Sequence, residues 1–201
     1  MERDRPRIAE QIRAERERLS AIFDGLDPAQ WSANSLCEGW RAREVLAHMT
    51  MPFRLSGPRI LGGLIRARFR FAAFADRDAR RATAALADRE LAALYRSNVT
   101  HPWRPPGGGQ IDALSHEVIH GLDITEPLGL PAPPAERIGL VLDGSGSSGL
   151  AYFGVDLAGR KLVATDADAA VGEGEQLRLP AKDLLLIVTG RKALAEALEG
   201  R

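Results

Sequence analysis

The chain has 201 residues, 45% of them hydrophobic, with 27 Lys plus Arg set against 27 Asp plus Glu for a formal net charge of +0. That length suits one well-buried domain with a smaller second one. The charge balance lacks the basic excess of a nucleic-acid binder, no apolar run is long enough to span a bilayer, and a single cysteine, Cys37, excludes an internal disulfide framework. Met1 is followed by Glu-Arg-Asp-Arg-Pro-Arg with no apolar segment behind it, so no secretory leader is expected and a reducing cytoplasm is the simplest location.

Taken from the N-terminus, Ile8, Ile12, Leu19, Ile22, Phe23 and Leu26 fall on one face at helical spacing. Asp27-Pro28 punctuates the end of that helix. The stretch from Ser35 to Trp40, Ser-Leu-Cys-Glu-Gly-Trp, reads as a loop, and a second helix begins near Ala42, carries Val45, Leu46, His48 and Met49, and ends or kinks at Pro52. Residues 60–74 are apolar but studded with Arg66, Arg68 and Arg70 behind Arg59, the one dense basic patch in the chain. Arginines commonly snorkel from an amphipathic helix, so the patch alone names no partner.

Asp76 to Ser97 is predicted as one long helix. A loop follows from His101 to Gly109, rich in Pro and Gly. A further helix starts near Ile111, carries Leu114, Val118, Ile119 and Leu122, and ends by Pro127 or Gly129. Four such segments predict an antiparallel four-helix bundle over residues 1–130. The segment 130–134, Leu-Pro-Ala-Pro-Pro, reads as a linker. Beyond it, residues 135–201 predict a small α+β domain: a Gly/Ser turn over 144–149, short strands at 161–165 and 176–179, and helices over 181–189 and 192–198 broken at Gly190.

Chemistry concentrates on the histidines. His116 and His120 are four apart, so on a helix they share a face and both imidazoles can reach one ion at about 2.0–2.1 Å. His48, on a different helix, is a third candidate ligand. Three protein ligands leave an open coordination position, the catalytic rather than the structural arrangement for zinc. Such an ion lowers the pKa of a bound water or thiol. The metal is not specified, because imidazole suits Zn, Ni, Cu and Fe alike.

Glu117 lies about 100° round the helix from His116 and is a candidate fourth ligand or base, unless it faces away. The order Glu-Val-Ile-His differs from the HExxH signature of zinc proteases. Asp123, three residues past His120, is placed to orient its ring as an outer partner. Cys37 reads as a buried, inert thiol rather than a nucleophile. The serines of 145–148 lack the strand-to-helix setting of a hydrolase elbow, and neither a Walker A nor a dinucleotide fingerprint occurs.

The segment 35–40 followed by Val45-Leu46-Ala47-His48 resembles the first signature of the mycothiol-dependent maleylpyruvate isomerase family, within the wider DinB/YfiT-like metal-binding bundles. Residues 118–124, Val-Ile-His-Gly-Leu-Asp-Ile, with Pro127-Leu128-Gly129, are similar to its second signature. The tail, with Ala164-Thr165-Asp166, Gly172, Gly174 and the run from Asp183 to Arg191, resembles the family's small C-terminal domain, related to sterol carrier protein folds. The resemblance implies a mainly α protein: a DinB-like bundle followed by that small α+β domain.

It also implies a divalent metal, zinc with nickel or another transition metal as alternatives, held by His48, His116 and His120, and a low-molecular-weight thiol such as mycothiol as cosubstrate. The family's isomerases carry Glu four places before the last His, where this chain has His116; three histidines are closer to the broader DinB-like proteins. Arg191 corresponds to the family's C-terminal Gly-Arg and would meet an acidic substrate or the thiol, or form a structural ion pair. The implied activity is that of a thiol-dependent isomerase or S-transferase acting on a small molecule. A metal-dependent hydrolase and a non-catalytic metal- or ligand-binding stress protein are the alternatives. No nucleic-acid or membrane partner is expected, and an arginine-rich apolar helix leaves room for a homodimer.

Overall fold

The computed structural model describes residues 5–151 and 153–199, which form eleven helices and three strands. They divide into two compact units. The first comprises residues 12–103 and 123–130. It holds most of α1 (Arg5–Gly25), then α2 (Pro28–Ser32), α3 (Ala42–Met49), α4 (Met51–Arg54), α5 (Gly57–Arg66), α6 (Phe71–Ala85) and α7 (Asp88–Arg96).

Asp27-Pro28 ends α1 and also opens α2. The Asp27 carboxylate accepts the Gln30 N–H at 2.8 Å while the Gln30 side chain accepts the Asp27 N–H at 3.0 Å, a capping box with Pro28 at the start. In α3 the periodicity places Val45, Leu46 and Met49 inward, and they pack with Leu19, Phe23, Trp31, Ala79, Leu91 and Tyr95 in the principal core of this unit. The Phe23 ring meets Tyr95 edge-on at 5.3 Å between centroids. Helix α3 packs against α2, α6 and α7 together.

The helix expected over 76–97 is two helices, α6 and α7. Leu86 is extended, with φ −122° and ψ 138°. The Glu90 carboxylate takes the Ala87 N–H at 2.7 Å and so caps a fresh start. A local cap here outweighs the helix propensity of an Ala/Leu/Arg run.

The second unit comprises residues up to 11, 104–122 and from 131 onward. Helix α8 (Gln110–Thr125) lies in it up to Leu122 and ends in the first unit. It is followed by α9 (Ala135–Ala151), β1 (Arg160–Ala164), β2 (Ala170–Gly172), β3 (Glu175–Leu179), α10 (Ala181–Val188) and α11 (Leu194–Glu199). The Gly/Ser turn expected over 144–149 is instead the C-terminal part of α9. A Cβ at Gly144 would collide with the Ile111 side chain, so a glycine lets α9 lie close to α8. Close packing thus overrides the low helix propensity of glycine.

The strand order is β2-β1-β3, with β1 antiparallel to β2 and parallel to β3; Leu162 stands opposite both Val171 and Leu177. The strand β2 was not foreseen, and with three residues it carries too little alternation to be read. Leu162, Ala164, Leu177 and Leu179 are buried at alternate positions, and α10 adds Leu184, Leu185, Ile187 and Val188. Gly190, at φ 72°, turns the chain after α10.

Candidate metal centre

The loop 35–40 is built by its own polar groups. Gly39 takes φ 75°, the left-handed region that a side chain resists, and the Trp40 N–H closes the turn on the Cys37 carbonyl at 3.0 Å. The Ser35 hydroxyl donates to the Trp40 carbonyl at 2.8 Å and accepts the Cys37 N–H at 3.1 Å. The Leu36 N–H reaches the Asp123 carbonyl at 3.0 Å. The Cys37 thiol donates to Asp123 Oδ2 at 3.0 Å. The Trp40 indole N–H donates to Asp76 at 2.8 Å. The loop is therefore tied to the end of α8 and to the first turns of α6.

That anchoring directs Trp40 at the first histidine. His48 lies in the last turn of α3, where its helix neighbours bury it to 6% exposure. The Trp40 ring stands 5.4 Å from the His48 ring, and the Phe71 ring meets it edge-on at 6.3 Å. Two aromatic rings leave the imidazole little rotational freedom. The start of α3 is fixed by Glu44, whose carboxylate accepts the Arg41 N–H at 3.0 Å, the Arg41 guanidinium at 2.6 Å and the Thr83 hydroxyl at 3.2 Å. Burial alone would push the Glu44 carboxyl up, but these bonds and the Arg41 charge hold it below the usual carboxylate range. Next to His48 in sequence, the Ala47 carbonyl accepts from the Arg54 guanidinium at 2.7 Å, and the same guanidinium pairs with Asp78 at 2.7 Å.

On α8, His116 and His120 share a face as their spacing requires, with ring centroids 4.8 Å apart and planes at 76°. Both are half-buried. His48 belongs to the first unit, and His116 and His120 to the second. Glu117 is 1% exposed. Arg191 sits with its guanidinium 5.5 Å from the centre of the Phe153 ring and donates to the Thr189 carbonyl at 2.8 Å. His101 is also a structural residue here: its carbonyl accepts Arg16 at 2.7 Å and its ring packs on Phe53 at 5.1 Å.

The donor chemistry fits a divalent transition ion. The imidazoles of His116 and His120, side by side on α8, are donors that such an ion binds at about 2.1 Å. The sequence reading missed the thiol–carboxylate contact of Cys37 with Asp123. Its residues are far apart in sequence, and only the motif order brings both to notice. Trp40 and Phe71 were also missed as neighbours of His48, because an aromatic in a loop or at a helix start carries no spacing signal.

Residues 12–107 match the family model described as the mycothiol maleylpyruvate isomerase N-terminal domain. Among solved structures, the chain is similar to a crystal structure of the mycothiol-dependent maleylpyruvate isomerase in a histidine-to-alanine variant, with 14% identity and a TM-score of 0.55 over 94% of this chain and 90% of that one. That likeness shows a shared fold, here a mainly helical chain with a small C-terminal sheet. No curated protein matches the chain. No helix among the described residues is long and apolar enough to cross a membrane.

Proposed function

We propose, on the match of residues 12–107 to the mycothiol maleylpyruvate isomerase N-terminal domain, that the protein is a metal-dependent enzyme that works with a low-molecular-weight thiol of the mycothiol type, as an isomerase or S-transferase. The observation that carries the reading is the pair of imidazoles, His116 and His120, that one face of α8 presents with ring centroids 4.8 Å apart; His48, in the first signature, is assigned as the third donor. Zinc is the ion we assign, with nickel or another transition ion as the alternative. When bound, the ion supplies a Lewis acid that lowers the pKa of a coordinated thiol.

The chain's own residues do the rest. His48 is fixed between Trp40 and Phe71, so one donor is oriented before any ion arrives. His116 and His120 are oriented by one helix. Glu117, buried next to His116 in sequence, is assigned the role of holding the proton released by the thiol. Arg191 is assigned to an anionic group of the substrate or thiol, leaving its present seat on Phe153 to do so. The thiol, not Cys37, is the nucleophile: the Cys37 proton is committed to Asp123. A reducing cytoplasm is where such a thiol and a Cys37 outside any disulfide coexist.

The test is turnover of a maleylpyruvate-type substrate by metal-loaded protein, with and without mycothiol. The expected result is activity that requires the thiol and falls at least a hundredfold in His120→Ala while the circular dichroism spectrum persists, roughly the loss expected when a metal centre is dismantled. Thiol-independent hydrolysis of ester or amide substrates would replace this reading with the hydrolase. Full activity in His120→Ala would overturn both.

A further inference from the structure

The helix α5 and the turn after it present an apolar surface that the first unit does not cover. No residue of α5 is buried. Ile60 and Leu64 face inward, onto a small core of Met51, Ala67 and Phe74. Gly63 abuts the Phe74 ring, and a Cβ there would run into it, which fixes this helix face as the inner one. Leu61 and Ile65 follow those inward residues by one position, about 100° further round the helix, and point away from the core. Leu61 is 55% exposed, Ile65 57%, Phe69 72% and Phe71 49%. These four are the large exposed hydrophobics among the described residues.

The same segment is basic. Arg59, Arg66, Arg68 and Arg70 are all exposed, and between Glu44 and Asp76 the sequence has no acidic residue. None of the four arginines makes an ion pair among the described residues. Arg68 and Phe69 both take positive φ, 53° and 59°, a conformation that side chains adopt at a cost. The strained turn projects the Phe69 ring outward, with a guanidinium on each side of it in sequence. A local backbone that sought comfort or concealment would not hold this shape.

Apolar and aromatic side chains ringed by unpaired arginines match one kind of surface: a bilayer with anionic headgroups, whose acyl boundary takes up the hydrophobic residues and whose phosphates meet the arginines. Self-association through the same face would set four arginines against four. A nucleic acid would satisfy the arginines but leave Leu61, Ile65 and Phe69 in water. We propose that α5 and the turn through Phe71 are a peripheral docking surface for anionic membranes. No spanning helix is needed, since the segment lies in the headgroup plane. Phe71 belongs to the patch and also packs on His48, so docking would bring the bilayer to the His48 side of the first unit.

The experiment is co-sedimentation of the full chain with vesicles of phosphatidylcholine alone and of phosphatidylcholine with 30% phosphatidylglycerol, roughly a bacterial-type negative surface potential. Binding to the anionic vesicles is expected, weakened at high salt and weak or absent on the neutral ones. Leu61→Ser/Ile65→Ser and Arg66→Gln/Arg68→Gln should each lower the partition coefficient, by about fivefold for each arginine removed, with an unchanged circular dichroism spectrum. No binding to anionic vesicles would overturn the proposal. So would vesicle binding that both double variants retain in full, duplex DNA binding that Leu61→Ser/Ile65→Ser retains without vesicle binding, or a homodimer in sedimentation that the same variant breaks.

Discussion

Helices α3 and α5 are separated by one short helix and a turn, and both are amphipathic. Yet α3 buries seven of its eight residues, while α5 buries none of its ten. The difference is in their neighbours. Helix α3 is met by α2, α6 and α7, and even its polar Glu44 and His48 find buried settings. Helix α5 touches α6 through Ile60, Gly63 and Leu64 and has its other apolar flank in solvent. Amphipathicity in sequence therefore says that a face wants cover, not where the cover comes from. In α3 the covering elements bury a histidine; in α5 the outer flank, with Leu61 and Ile65, stays exposed.

Three substitutions sharpen that contrast. Leu46→Ala, at 0% exposure in α3, should destabilise the protein by about 2–5 kcal/mol, because the surrounding core cannot collapse into the space left. Urea unfolding followed by circular dichroism would measure it. A cost no greater than that of a surface change would mean that α3 is not the centre of the first unit.

Glu44→Gln comes next, at about 1–3 kcal/mol near neutral pH, since the exposed Arg41 and the half-buried Thr83 lose a buried, charged acceptor. Its pH dependence carries a sign. The folded carboxyl lies below its unfolded value, so its contribution is complete above the ordinary carboxylate range and is lost as pH falls through the folded value. The gap in melting temperature between wild type and Glu44→Gln should therefore shrink on acidification below about pH 4. A gap that widens there would reverse the assignment. The smallest effect belongs to Ile65→Ser in α5, within about 0.5 kcal/mol, because its side chain is already largely in water. A loss comparable to Leu46→Ala would show that the α5 flank is covered within the molecule.

Much of the fold was legible in the periodicity. The faces of α1, α3 and α8 could be read from spacing, and so could the shared face of His116 and His120. What could not be read was decided by non-local contacts. The break between α6 and α7 depends on Glu90 capping Ala87, a choice that a run of good helix formers hides. The helical Gly144 depends on the proximity of Ile111. The Cys37–Asp123 contact links residues eighty-six apart. Cys37 alone reads as an inert thiol, and only the folded loop aims it at a carboxylate. The basic patch was visible as composition, but its apolar half emerged only when Leu61, Ile65 and Phe69 proved to be exposed.

The central claim, a single divalent ion held by three imidazoles, is tested most directly by metal content per chain, measured by mass spectrometry on protein purified without a polyhistidine tag. The account predicts about one equivalent of zinc or a similar ion, lost in His116→Ala/His120→Ala without loss of helical signal. Protein that arrives metal-free and fails to take up added Zn²⁺ would contradict it.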